Sequence, residues 1–233
     1  MTLVPVHPIR PVRRLAVLAA TVAIVAAACS SAASSPIPTI GPVTPAPSVV
    51  AHPSVAPSSV PSLDASGCPT SAPAPMKAGE TATVTVATSK GTIVLKIEGD
   101  LSPIAAANFV ALAECGFYDG LTFHRLVPGF VIQGGGGSPG YTIKDEPVNG
   151  EYKRGTLAMA RTMAPDSQGS QFFVVLDDQA APALDSVRTY AIFGEVVSGM
   201  DVVDAIAAMP NSGQPDNTAL DPVSMDKVTV TRP

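Results

Sequence analysis

Tryptophan is absent from this chain of 233 residues, aromatics reach only 5% and charged residues only 14%. A core must therefore be built from aliphatics, and a segment without them has little to bury. Histidine is also scarce: His7 falls in an N-terminal leader and His52 in a proline-rich stretch, leaving His124 alone in the remainder. With one imidazole and no calcium-loop spacing of carboxylates, no metal is expected. A Ser-His-Asp hydrolase is poorly served too. Ser170 stands in GSQFF rather than in a nucleophile elbow, and His124 is the sole base on offer. Positive charge is short as well, at 14 Lys and Arg against 19 Asp and Glu, with Arg10, Arg13 and Arg14 all near the start. The rest of the chain is thus more acidic than the net charge of −5 suggests, which excludes nucleic acid as a partner.

Proline is abundant by contrast, with 24 residues, many of them between Pro36 and Pro75. Ahead of them, the three arginines precede the apolar run LAVLAATVAIVAAA, residues 15–28, and then Cys29. A basic segment, a short apolar run and small residues at its end predict an export signal over residues 1–28. The run is shorter than the about 20 residues that span a bilayer. Ala26-Ala27-Ala28-Cys29 resembles a bacterial lipobox, although a larger aliphatic is usual at the position of Ala26. That resemblance implies lipidation of Cys29 and an exported protein anchored in the cell membrane, facing outward; without the lipid the protein is secreted. Cys68 and Cys115 then remain as an even pair in an oxidising compartment. They either form a disulfide that staples tether to domain or stand as two free thiols.

Residues 29–78 are Ser, Pro, Ala, Val and Thr with almost no charge and no sustained period, which predicts a disordered tether. Extended at about 3.1 Å per residue, such a stretch holds its cargo on the order of 100 Å from a membrane. One domain follows over residues 79–233, and a tethered monomer is the simplest arrangement.

Within the domain, TATVTVAT and TIVLKIE alternate around Ser89-Lys90-Gly91, as a hairpin does. PIAAANFVALAECGF reads as a helix opened by Pro103, with Ser102 as N-cap and Gly116 near its stop. LTFHRLVPGFVIQ, GTLAMAR, SQFFVVL, YAIFGEVV and KVTVTR read as strands, and GMDVVDAIAAM as a second helix presenting Val202, Ile206 and Met209. Seven or eight strands with two helices point to a mainly β fold, a closed antiparallel barrel without exposed edges.

Gly135 to Gly140 formally fits G-x-G-x-x-G, but strand-and-turn sequence follows it instead of a helix, so it is no dinucleotide site. In FHRLV, strict alternation puts Phe123, Arg125 and Val127 on one face and His124 and Leu126 on the other. Arg125 then either snorkels over barrel surface or serves a site.

FHRLVPGFVIQGG, followed in order by GTLAMAR, GSQFFV and AIFGEVVSGMDVVDAI, resembles the cyclophilins across roughly residues 80–233. The resemblance implies an eight-stranded antiparallel closed β-barrel capped by two α-helices, and peptidyl-prolyl cis-trans isomerase (rotamase) activity that assists protein folding without a cofactor. Its substrates would be proline-containing polypeptides, here exported or envelope proteins. Arg125 matches the family's catalytic arginine and Gln133 a polar group beside it. Phe130, Val131, Phe173 and Leu184 match the walls of the proline pocket, with Val131 at a position usually held by methionine. Gln171 matches a group facing the substrate backbone, and Ala160 and Arg161 match the segment that pairs with the peptide, where asparagine is common in place of Arg161. Ala183 replaces a tryptophan or other bulky residue of many members, and Tyr190 a histidine. An altered pocket wall leaves an alternative: a proline-peptide-binding module with weak or no turnover.

Overall fold

The computed structural model describes residues 62–233; the export signal, Cys29 and the tether up to residue 61 lie outside the described residues. The hairpin forms as expected from β1 (Thr81–Thr88) and β2 (Gly91–Glu98). Alternation sends Ala82, Val84 and Val86 inward from β1, and Ile93, Leu95 and Ile97 from β2. The remaining strands are β3 (Thr122–Val127), β4 (Val131–Gly134), β5 (Thr156–Met159), β6 (Phe172–Val175), β7 (Ile192–Ser198), β8 (Thr218–Ser224) and β9 (Lys227–Thr231). All pair antiparallel in one sheet of order β8-β3-β4-β6-β5-β7-β2-β1-β9.

Sheet order and chain order together explain the expected eight strands against the nine found. The two edge strands, β8 and β9, are consecutive and separated only by Met225 and Asp226. They behave as one bent strand whose first half pairs with β3 and whose second half pairs with β1. The sheet curls until these halves meet, so neither edge is left as a long open template.

Helix α1 (Pro103–Glu114) buries residues all round and carries Phe109 into the sheet's interior, 5.1 Å from the Phe172 ring and 4.9 Å from that of Phe193. Ser102 is its N-cap residue by position, but its side chain makes no capping bond. Glu146 does that work from a distant loop, accepting from the N–H groups of Ile104 at 2.9 Å and Ala105 at 2.8 Å. The helix at GMDVVDAIAAM spans Met200–Ala207, and Val203 rather than Val202 joins Ile206 in the core. A third helix, Ala181–Val187, departs from the two expected. We label it α2, and Met200–Ala207 α3. At seven residues with one buried side chain, Leu184, α2 is too short to show a helical period in sequence.

The folded body also begins earlier than Gly79. Met76 is buried and its N–H donates to Pro103 O at 3.1 Å, while Cys68 is disulfide-bonded to Cys115 just past α1. Low charge and the lack of a period marked this stretch as tether; one buried methionine and one crosslink tie it to the body.

Candidate active site

Arg125 reaches its position through an irregularity. Phe123 pairs with Gly134 and Arg125 with Gln133, so the register slips at His124 against β4, and it slips at the same place against β8. One extra residue in a strand reverses the phase of its side chains. Phe123 and Leu126 therefore both enter the interior, while Arg125 turns outward with Val127. This overturns the expectation that Phe123 and Arg125 share a face. Gly134 makes room for the arrangement, since a Cβ there would stand 2.8 Å from the Phe123 ring. His124, half-buried, lines a glycine-walled hollow with Gly135, Gly136 and Gly137.

The outer face beside Arg125 is apolar. Ile132 and Val174 point inward while Val131, Phe173 and Val175 point outward; likewise Leu157 and Met159 point inward and Ala158 outward. These strands are covered on both faces, which is why they read as unbroken apolar runs rather than as alternations. The outward cluster is roofed by Leu184 of α2 and by Tyr190, whose ring stands edge-on to Phe173 at 5.3 Å. Tyr152 holds that roof by donating its hydroxyl to Tyr190 O at 2.8 Å. Burial pushes the Tyr152 phenol up to about 12, so it keeps its proton.

A cleft of about 340 Å³ opens here, walled by Phe130, Val131, Phe173, Leu184 and Tyr190. Arg125, Gln133, Ala160 and Arg161 supply its polar side. The Arg125 Nε donates to Asp216 O at 3.1 Å, and among the described residues no carboxylate pairs with it. A carbonyl behind and no acid in front leave the outer N–H groups of the fork unspent. Gln133 donates from Nε2 to Gln171 Oε1 at 2.7 Å, which fixes both amides. Gln171 does not line this cleft; it faces a second one of about 250 Å³, which shares Gln133, Ala160 and Arg161 with the first.

Arg161 lines both clefts but its charge is already engaged. Its guanidinium pairs with Asp145 at 3.1 Å and donates to the carbonyls of Thr162 and Ala164, leaving its side chain 10% exposed. Asp145 also accepts from Asp166 N and from Gln168 Nε2, each at 3.0 Å. The segment bordering the cleft is thus tied to the loop before it. Three contributors escaped the sequence reading: the Asp216 carbonyl, which no side-chain pattern announces, Asp145, and Val187 of α2, which lines the cleft while 52% exposed. For Val187 a signal existed, a lone aliphatic in the polar stretch DSVRT.

A barrel with an apolar cleft on its outer wall, and one uncompensated arginine at the cleft's polar side, offers room for an apolar group beside a hydrogen-bond acceptor. Comparison with known proteins makes this specific. Residues 83–230 match the family described as cyclophilin type peptidyl-prolyl cis-trans isomerase/CLD. The peptidyl-prolyl cis-trans isomerase of Acinetobacter baylyi is 42% identical in an alignment 158 residues long that covers 63% of this chain and 84% of that one. Peptidyl-prolyl cis-trans isomerase B of Escherichia coli is 43% identical in an alignment 161 residues long that covers 63% of this chain and 98% of that one. A crystal structure of a Cryptosporidium parvum cyclophilin type peptidyl-prolyl cis-trans isomerase superposes with a TM-score of 0.55 at 26% identity, covering 65% of this chain and 98% of that one. A second crystal structure of the same protein, with a TM-score of 0.55, was determined in the presence of the dipeptide Ala-Pro. The chain belongs to the cyclophilin-type peptidyl-prolyl cis-trans isomerases, and is an enzyme of that class.

Proposed function

We propose that this cleft isomerises Xaa-Pro bonds of exported or envelope polypeptides, with Arg125 as the group that stabilises the twisted amide. The observation that carries the reading is the Arg125 guanidinium, held from behind by Asp216 O beside an apolar cleft and without an acidic partner among the described residues. Rotation about the bond is slow because amide resonance sets a barrier of about 18–20 kcal/mol. No covalent step is needed. The protein has to bind the twisted state better than either planar one. In that state the prolyl nitrogen regains a lone pair, and a charged donor beside it lowers the barrier. Phe130, Val131, Phe173 and Leu184 grip the ring and keep out water that would screen the charge. Gln133, fixed by Gln171, and the main chain at Ala160 and Arg161 take the peptide on the side that precedes the ring.

The test is the cis-to-trans rate of a short Ala-Pro peptide with the full-length protein and with Arg125→Ala. A large acceleration that falls by about 100-fold or more in the variant supports the mechanism, by the scale of other electrostatic donors. Binding without acceleration would establish the proline-binding module instead.

The exported setting is supported by the basic-then-apolar leader over residues 1–28, the lipobox-like Ala26-Ala27-Ala28-Cys29 and the Cys68–Cys115 disulfide, a bond suited to an oxidising compartment. Cys29 carries the lipid in this reading. Cys29→Ser should move the protein from the membrane fraction to the soluble one.

A further inference from the structure

The proline cleft continues past its buried wall onto a ledge of α2. Ala183, Leu184 and Val187 lie at positions i, i+1 and i+4, on one side of the helix, and all three line the cleft. Leu184 is buried, but Ala183 is exposed and Val187 is 52% exposed, one of few large apolar side chains so open among the described residues. The cleft's about 340 Å³ exceeds what one pyrrolidine ring fills and reaches the range that holds larger ligands.

The ledge is rigid. Ser186 donates its hydroxyl to Ala183 O at 2.7 Å, and Arg188, the residue after Val187, donates to Gly150 O at 3.0 Å. The two charges near it satisfy each other, Arg188 pairing with Asp185 at 2.5 Å. Nothing on this wall offers a free charge to a ligand.

Polarity orients the chain. The amide that rotates lies before the ring, and it needs the donors of Arg125 and Gln133 on the polar side. Residues further upstream then continue toward the second cleft, which shares that polar side. With the rotating amide held on the polar side, the wall left for the residue after the ring is the ledge of α2.

We infer that Ala183, Leu184 and Val187 form a subsite for the residue immediately following proline, and that it selects an apolar side chain there. The inference rests on the isomerase reading of the cleft. A side chain laid on the ledge covers Val187 and is itself half desolvated, and a hydrophobic contact of this size discriminates by about fivefold or more.

The experiment uses the full-length protein and peptides Ala-Ala-Pro-Xaa-Ala-amide in which Xaa is Leu, Ser, Asp or Lys, with kcat/KM measured by exchange NMR. Leu is expected to exceed Ser by about fivefold or more and to exceed both charged residues. In Val187→Ser the Leu-to-Ser ratio falls by at least half, and in Ala183→Leu, which adds apolar surface, it rises. Because the readout is a ratio, loss of overall rate in a variant does not obscure it. Equal rates for Leu and Ser, or a ratio indifferent to both substitutions, overturn the subsite. Failure of every peptide to be accelerated would instead overturn the isomerase reading beneath it.

Discussion

Phe123 and Arg125, two positions apart in β3, stand on opposite faces of the sheet, the first inside the barrel and the second at the cleft. A register slip at His124, present against both neighbouring strands, produces this reversal. It allows one strand to supply a core aromatic and a solvent-facing cation within a single turn of sequence.

The shape of that cation should matter as much as its charge. Arg125→Lys keeps the charge but loses the planar fork, and with it the bond from Nε to Asp216 O that holds the group in place. The kcat/KM on an Ala-Pro peptide should fall by about tenfold or more while the melting temperature stays nearly unchanged. Retention of full rate would show that charge alone suffices.

Asp145 should act through binding. It joins Arg161, Asp166 and Gln168, and the Arg161 side chain it neutralises is 10% exposed. Asp145→Ala leaves that guanidinium only the carbonyls of Thr162 and Ala164, at a stability cost of about 2 kcal/mol. Because Arg161 borders both clefts, KM should rise more than kcat falls. Urea titration and steady-state kinetics on the same preparation check both halves.

The Cys68–Cys115 bond closes a loop with a sequence separation of 47, and constrains the unfolded chain by up to about 4 kcal/mol. Neither residue lines the cleft. Cys68→Ala with Cys115→Ala should lower the melting temperature by about 10 °C and leave the isomerisation rate of the folded protein unchanged.

Glu146 gives the fold a pH signature. Burial holds its carboxyl above the usual range, against the opposing effect of the N–H groups of Ile104 and Ala105. A carboxyl whose folded value lies above its unfolded one binds its proton more readily in the fold. Its contribution is therefore complete below the unfolded value and shrinks as pH rises through the folded one. Replacing it with glutamine removes this dependence. The stability lost in Glu146→Gln should be larger near pH 4 than at pH 7, measured by denaturant unfolding at each pH.

Local pattern carried much of this protein. The Thr-Ala-Thr-Val alternation of β1 and the aliphatic positions of β2 are held to one face by a period of two, so any neighbour that buries that face yields the same strands. The walls Phe130, Val131 and Phe173 could be named from sequence because the blocks that contain them retain their order and type, and Leu184 from its place between two such blocks; the fold brings all four to one cleft.

Other features depend on contacts between residues far apart in the chain, which local periodicity does not encode. Ser102 occupies the cap of α1, yet Glu146 performs the capping because the loop before β5 folds over that helix end. Arg161 could be placed beside the substrate by resemblance, but its charge is engaged by Asp145, which the sequence did not mark. Arg125 was identifiable as a residue type, whereas the face it occupies was not. Alternation is a rule for regular strands, and the bulge that breaks it exists only once β3 is paired with β4 and β8.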